Sequence, residues 1–307
     1  MNQTGMIRIG SRGSQLALWQ AEHVAGLLRE RGHEVEIEVI KTTGDRMQEV
    51  TFAEVGSKGM FTLEIEEALA AGRVDLAVHS LKDLPTELPA DFVLGATPAR
   101  VDARDVLVSK DFASLQALPE GARVGTSSLR RRAQLRHLRP DLEFTEFRGN
   151  VDTRLRKLGE GKAEAIVLAA AGLDRLDKTE WIRERIDVEA VCPAAGQGAL
   201  GIEIRASDPR MSEVVAFLDD PATRFAVTAE RIALAALGGG CQVPIGVHCW
   251  PGSSGGFEIL GVVADPDGSK ILRSSASGDD ADELGRAVAV DLLQQGASEL
   301  FEGIGTH

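Results

Sequence analysis

Between Arg123 and Lys157 the chain places nine arginines and one lysine against four acids, a net of +6 in a protein whose formal charge is −13. The remainder therefore carries −19. A positive patch of that density inside an acidic chain points to an anionic ligand held locally. Arg130 and Arg131 follow the hydroxyl run Thr126, Ser127 and Ser128, where a strand pattern gives way to a helical one. Backbone N–H groups gather at such a helix start, and with the hydroxyls they form an anion site on the crevice side of an open α/β sheet. Arg148 stands at the next strand–helix junction, Arg154 one turn into that helix, and Arg175 after the following strand. Recurrence at three successive strand ends implies a shared crevice, whereas Arg132, Arg136 and Arg139 suit an ordinary surface helix. The planar guanidinium fork pairs bidentately, so the expected ligand carries several carboxylates or phosphates.

The stretch "VDLAVHSLKDLPTELP" runs from an apolar strand into His79, Ser80, Lys82 and Asp83 before proline breaks the chain. An aspartate there often serves as a turn former. Beside Lys82 and opposite an arginine cluster, Asp83 is instead placed to stabilise a cationic intermediate and to manage protons. "IGSRGSQLALWQ" brings Arg12 and Ser14 to another helix start, and "VGSKGMF" puts Lys58 on a glycine-flanked loop that reads as a lid or as a plain exposed turn.

Cys241 follows three glycines and precedes "QVPIG". Glycines leave room for a bulky group beside the sulfur. A helix C-terminus does not lower a thiol's pKa as an N-terminus does, so a covalent attachment point and a turnover nucleophile both stay open. Cys192 and Cys249 read as packing residues, and the cysteines and histidines lack the paired spacing of a zinc site, so no metal is expected.

The elements that must position these groups alternate along the chain. "MIRIG" reads as a strand, the segment from Ser14 to Gly32 as an amphipathic helix, and "EVEIEVIK" as a half-buried strand. "FTLEIEEALAAG" and "VDLAVHS" complete a βαβαβ unit. "RVGTSS", "SLRRRAQLRHL", "LEFTEF", "VDTRLRKLG" and "AEAIVLAAAG" make a second. Two such units imply two parallel sheets with a cleft between them. "PARVDARD" is a candidate crossing and "CPAAGQGALGIEI" a candidate return. From "PATRFAVTAERIALAAL" onward, one helix, three strands and a last helix describe a small antiparallel α+β domain. The fold class is thus α/β with a C-terminal α+β domain. With 307 residues, 43% hydrophobic and 26% charged, several domains of ordinary soluble composition are expected. No secretory signal or membrane-spanning run is evident, and three cysteines do not suggest disulfides, so a cytoplasmic setting is expected. The strongly negative remainder and the absence of tyrosine argue against a nucleic-acid module. A solute-binding receptor would suit two such units but leaves Cys241 unexplained.

In order, "SRGSQLALWQ", "GSKGMF", "AVHSLKDLPT", "VGTSSLRR", "FRGNVDTRL", "LAAAGLDRL", "PAAGQGALGIE", "TAER" and "GGGCQVPIG" closely resemble the hydroxymethylbilane synthases, or porphobilinogen deaminases. The resemblance implies a cysteine, here Cys241, that holds a dipyrromethane cofactor through a thioether. It implies head-to-tail addition of four porphobilinogen units with loss of ammonia, then hydrolysis to release 1-hydroxymethylbilane. Every pyrrole carries an acetate and a propionate, which accounts for the arginines. By resemblance Asp83 is catalytic. Lys82, Thr126, Ser128, Arg130, Arg131 and Gln197 hold the cofactor. Arg12, Ser14, Lys58, Arg148, Arg154 and Arg175 receive substrate and the growing chain. The implied architecture is three domains in a monomer. Residues 1–98 with 199–216 and residues 104–192 form two domains similar to type II periplasmic binding proteins, and 221–307 form a third bearing the cysteine. Glu54 and Thr43 stand where some members carry a lysine and an arginine, which bears on the loop's charge contacts.

Overall fold

The computed structural model describes residues 5–43, 62–239, 243–253 and 255–301. Cys241, Lys58 and Glu54 lie outside the described residues. Two compact units divide the chain: Met1–Arg100 with Ala199–Arg224, and Val101–Gly198 with Phe225–His307.

In the first unit, strand β1 (Ile7–Ser11) buries Ile7 and Ile9 and leads into helix α1 (Gln15–Glu30). Ser14 caps that helix, its side chain accepting from the Ala17 N–H, and α1 buries Ala21, Val24, Ala25 and Leu28. Strand β2 (Val35–Val39), helix α2 (Leu63–Ala70) and strand β3 (Leu76–Ser80) follow, as the periodicity predicts. Two further strands complete the sheet: β4 (Phe92–Ala96) and β10 (Leu200–Arg205), in the order β2-β1-β3-β10-β4. Strands β1, β2 and β3 run parallel, while β10 is antiparallel to both β3 and β4. Helix α6 (Pro209–Val215) packs Met211 and Val215 into the same core as Ile7, Ile9 and Ile202.

The second unit repeats the plan. Strands β5 (Asp105–Ser109), β6 (Arg123–Gly125), β7 (Glu143–Thr145), β8 (Ala165–Ala169) and β9 (Ile182–Arg185) take the order β7-β6-β8-β5-β9. Strands β6, β7 and β8 are parallel, and β5 is antiparallel to β8 and β9. Helices α3 (Leu129–Leu138), α4 (Val151–Gly159) and α5 (Ala170–Arg175) start where the arginine motifs lie. The expectation of two parallel sheets is therefore corrected: each is mixed. The reason is physical, since "DVLVS" and "LGIEI" are continuous buried runs whose pattern does not reveal strand direction.

Helix α7 (Pro221–Ala236), the three-stranded antiparallel sheet β11 (Ile245–Pro251), β12 (Phe257–Ala264) and β13 (Ile271–Gly278), and helix α8 (Ala281–Gln294) form the C-terminal part. Their core joins Ala229, Ala233, Val247, Ile259, Val288 and Leu292. At the end of α7 the Gly238 N–H reaches the Ala235 carbonyl and the Gly239 N–H reaches that of Leu234, with Gly238 at φ +68°. This is a Schellman stop, which requires a left-handed residue. A Cβ on Gly239 would lie 2.5 Å from Leu234 Cδ1. Two of the three glycines before Cys241 thus have a backbone role of their own, independent of any group beside the sulfur.

Candidate active site

In the first unit, the carboxyl ends of β1 and β3 converge on one pocket lined by Arg12, Ser14, Gln20, His79, Ser80 and Asp83. Arg12 follows β1 directly, and Ser14 is held by its capping role. Asp83 ends a single 3-10 turn, Leu81–Asp83, that continues from β3. Leu81 is buried and its N–H donates to the Ala199 carbonyl, so the turn is anchored while the Asp83 side chain is exposed. Gln20 Nε2 donates to Ser80 Oγ at 2.7 Å and ties α1 to the same strand end. Lys82 lies half-buried on the turn. Thr43 donates from N and Oγ1 to Glu64 Oε1 at 2.7 and 2.5 Å.

Beneath the pocket is a charged cluster whose acidic members the motifs did not single out. Glu203 on β10 is fully buried, and its Oε2 lies 2.9 Å from His79 Nε2. Glu66 on α2 is buried nearby. Burial pushes its carboxyl up, and the charge of Glu203 adds to that. The signal available in sequence was an acid inside the apolar run "LGIEIR", which strand alternation alone does not explain.

In the second unit the arginines meet a carboxylate that sequence reasoning passed over. Asp105 opens β5 and is fully buried. Arg130 Nη1 donates to its Oδ2 at 2.8 Å and to the Cys192 carbonyl at 2.6 Å. Arg131 Nε and Nη2 donate to Oδ1 at 3.0 and 2.7 Å, and its Nη1 donates to the Val167 carbonyl. Gln197 Nε2 donates to the same Oδ1 at 2.8 Å and to the Ala103 carbonyl at 2.7 Å. Burial alone raises the Asp105 pKa, but the two guanidiniums more than offset it and hold the carboxyl well below its usual range. The clue was present in "ARDVLVS": an acid at the first position of a strand buried along its whole length.

Around this hub, Ser128 caps α3 by accepting from the Arg131 N–H, and Thr126 Oγ1 accepts from the Ser128 N–H. Both hydroxyls keep a proton to donate. Ser127 Oγ is buried with no hydrogen-bond partner among the described residues. Arg148 Nε donates to Glu146 at 3.0 Å, and Arg154 sits at the start of α4 behind the Asn150 cap. Arg175 ends α5, buried, with Nη2 donating to the Gly198 carbonyl, and burial pushes its pKa down to about 10. Cys192 is fully buried and its thiol is pushed up to about 12 by that burial, so it is inert packing; Cys249 is buried as well.

The strand ends of each unit are equipped to hold anionic groups, and those of the first also carry the exposed carboxylate of Asp83. Two family models match the chain: porphobilinogen deaminase, dipyrromethane cofactor binding domain, over residues 7–213, and porphobilinogen deaminase, C-terminal domain, over 224–294. The porphobilinogen deaminase of Pelobacter propionicus is 50% identical over 304 residues, covering 97% of each chain. That of Brevibacillus brevis is 48% identical over 299 residues, again covering 97% of each. Among solved structures, a putative methionine-binding lipoprotein of Bacillus subtilis aligns at TM-score 0.44 and 14% identity, covering 72% of this chain and 93% of its own. The chain belongs to the porphobilinogen deaminase family. It is accordingly an enzyme, a transferase of tetrapyrrole biosynthesis. No helix among the described residues is long and apolar enough to cross a membrane.

Proposed function

We propose that the two units divide the family's reaction, the joining of porphobilinogen units with loss of ammonia, between a proton-handling pocket and a carboxylate-holding hub. The observation that carries this reading is the convergence of Arg12, Ser14 and Asp83, from two different strand ends, on one pocket. There Arg12 and the Ser14 hydroxyl bind a substrate carboxylate and orient the aminomethyl group towards Asp83. Asp83, exposed at the pocket, stabilises the positive charge left on the substrate carbon as ammonia departs.

The donor set of the second unit suits a dipyrromethane, whose acetate and propionate groups need guanidinium and hydroxyl partners. Among the described residues Arg130 engages only Nη1, so its Nε and Nη2 donors suit a ligand. The buried, unpartnered Ser127 Oγ is a further donor of the right kind. When bound, the cofactor supplies the tethered pyrrole on which the chain grows. Thr126, Ser128, Arg130 and Lys82 would hold its carboxylates, while Arg131 and Gln197 act through Asp105 to fix Arg130. Arg148, Arg154 and Arg175 receive the carboxylates of added units, with Lys58 contributing from its loop and Cys241 as the tether. The three-domain division at 1–98 with 199–216, 104–192 and 221–307 belongs to the same proposal. So do a monomeric state, a cytoplasmic location and the absence of a nucleic-acid partner.

The test is the intact mass of the purified chain beside Cys241→Ser. An excess equal to two linked pyrrole units in the native chain, absent from the variant, supports the tether. A native mass equal to the bare polypeptide, unchanged after incubation with porphobilinogen, rejects it.

A further inference from the structure

We propose that His79, held by Glu203, is a second proton-handling residue of the Asp83 pocket. The inference rests on the proposed reading of that pocket and goes beyond it.

His79 lines the pocket together with Arg12 and Asp83, yet it is buried, only 6% exposed. It sits in β3 across from Gly201, while Glu203 pairs with Ala77, so His79 and Glu203 share one face of the sheet. The 2.9 Å contact of Nε2 to Glu203 Oε2 fixes that nitrogen as the N–H donor of the neutral ring. Nδ1 makes no hydrogen bond among the described residues and is left as the reactive nitrogen. A buried carboxylate on one ring nitrogen orients the imidazole and leaves the other nitrogen for proton transfer. Among the described residues, the charged groups that contact or electrostatically couple to the ring, or share its pocket, are Glu203 on β10, Glu66 on α2, and Asp83 and Arg12 of the pocket lining. Glu66, with its carboxyl pushed towards the neutral form by burial, leaves Glu203 as the ring's principal counter-charge.

The reaction needs such a group. Asp83 balances the cation, and a second group beside it lets a separate residue deliver the proton and take it back. Protonated His79 gives its Nδ1 proton to the substrate amine. The carbon–nitrogen bond then breaks and its electron pair leaves with nitrogen as ammonia. The resulting methylene cation, facing Asp83, forms a carbon–carbon bond with the acceptor pyrrole, and the ring proton displaced there returns to Nδ1. Each addition thus consumes one amine, releases one ammonia and restores the imidazolium.

His79→Gln keeps an amide N–H for Glu203 but removes the titrating nitrogen. With its cofactor content first checked by intact mass, the variant should lose about 10- to 100-fold in kcat at little cost in KM. Its pH profile of kcat should lack one ionisation that the parent shows. Wild-type kcat and an unchanged profile in His79→Gln would overturn the role of His79 alone. Failure of the unmodified chain to release ammonia from porphobilinogen would instead overturn the reading of the pocket, and this inference with it. A readout independent of turnover is nitrogen NMR of the resting wild-type protein, which also serves if the variant does not fold. The expected result is a neutral His79 protonated on Nε2 whose titration midpoint falls in Glu203→Gln. A neutral ring protonated on Nδ1, or one that never takes up a proton between about pH 5 and pH 9, would contradict the proposal.

Discussion

The two five-stranded sheets share one strand order, and each buries an acid on its antiparallel strand, but at different positions and against different partners. In the second sheet the antiparallel strand beside β8 begins with Asp105, paired with Ala169 at the strand end, where two arginines and a glutamine close on it. In the first sheet the corresponding strand begins with Leu200, paired with Ser80, and its acid, Glu203, lies further inside against a histidine. The same scaffold thus makes a strand end rich in committed cations in one unit and one with an open carboxylate in the other. What the comparison teaches is that the acid at the start of the antiparallel strand is what the two buried arginines close on, a partner that the Leu200 start of the first sheet does not offer.

The sharpest way to break the comparison is at the open carboxylate. Asp83→Asn should retain the cofactor by mass yet lose at least about 10³-fold in turnover, because the neutral amide cannot balance a cation. A variant with near-normal turnover would leave the first pocket without its assigned centre.

Next in size is the hub. Asp105→Asn strands two buried guanidiniums and should cost about 3–5 kcal/mol in denaturant unfolding. Because the Asp105 pKa is lowered in the folded state, its contribution is complete above the unfolded value near pH 4 and drains away as pH falls towards the folded one. Glu66 runs the other way. Its raised pKa makes its contribution full at low pH and lost as pH rises through the folded value. Acid unfolding of the parent and of Asp105→Asn should therefore converge as pH drops, and parallel curves would show that Asp105 is not the titrating group.

Much of this was legible beforehand. The βα alternation, the Ser14 cap and the helix following "VGTSS" are written in local periodicity and capping chemistry, which act over a few residues. The Arg cluster was read correctly as a concentration of charge, but its partner was not. Asp105 meets Arg130 and Arg131 only through the β5–β8 pairing, and nothing local encodes that pairing. The Glu203–His79 contact spans an even longer separation and depends on a strand whose direction the pattern leaves undetermined. Cys241 and Lys58 lie outside the described residues, so their placement adds nothing to the motifs that named them.

Smaller effects sharpen the contrast further. Gly198 adopts φ +87°, and a Cβ there would lie 2.6 Å from the Val101 carbonyl oxygen. Gly198→Ala should destabilise the turn beside Gln197 by about 1–3 kcal/mol, measured as a lower unfolding midpoint. Ser14→Ala and Ser128→Ala each remove a helix cap worth about 1 kcal/mol. If both hydroxyls also face anions, each variant should raise KM for porphobilinogen beyond what that loss of stability produces, whereas equal KM values would confine both serines to capping.

The insertion of β10 between β3 and β4 also has a consequence for biosynthesis. Among the described residues strand β4 is hydrogen-bonded to β10 alone, and β3 exposes its edge until β10 arrives. The second sheet, by contrast, draws all its strands from residues 105–185. On the ribosome the N-terminal strands must therefore wait, with one edge open, until residue 205 has emerged and a whole further sheet has been made. Unpaired edges are sites of wrong association. The return strand therefore sets the order in which the nascent chain becomes safe from aggregation, with the second sheet closing first and the N-terminal sheet last.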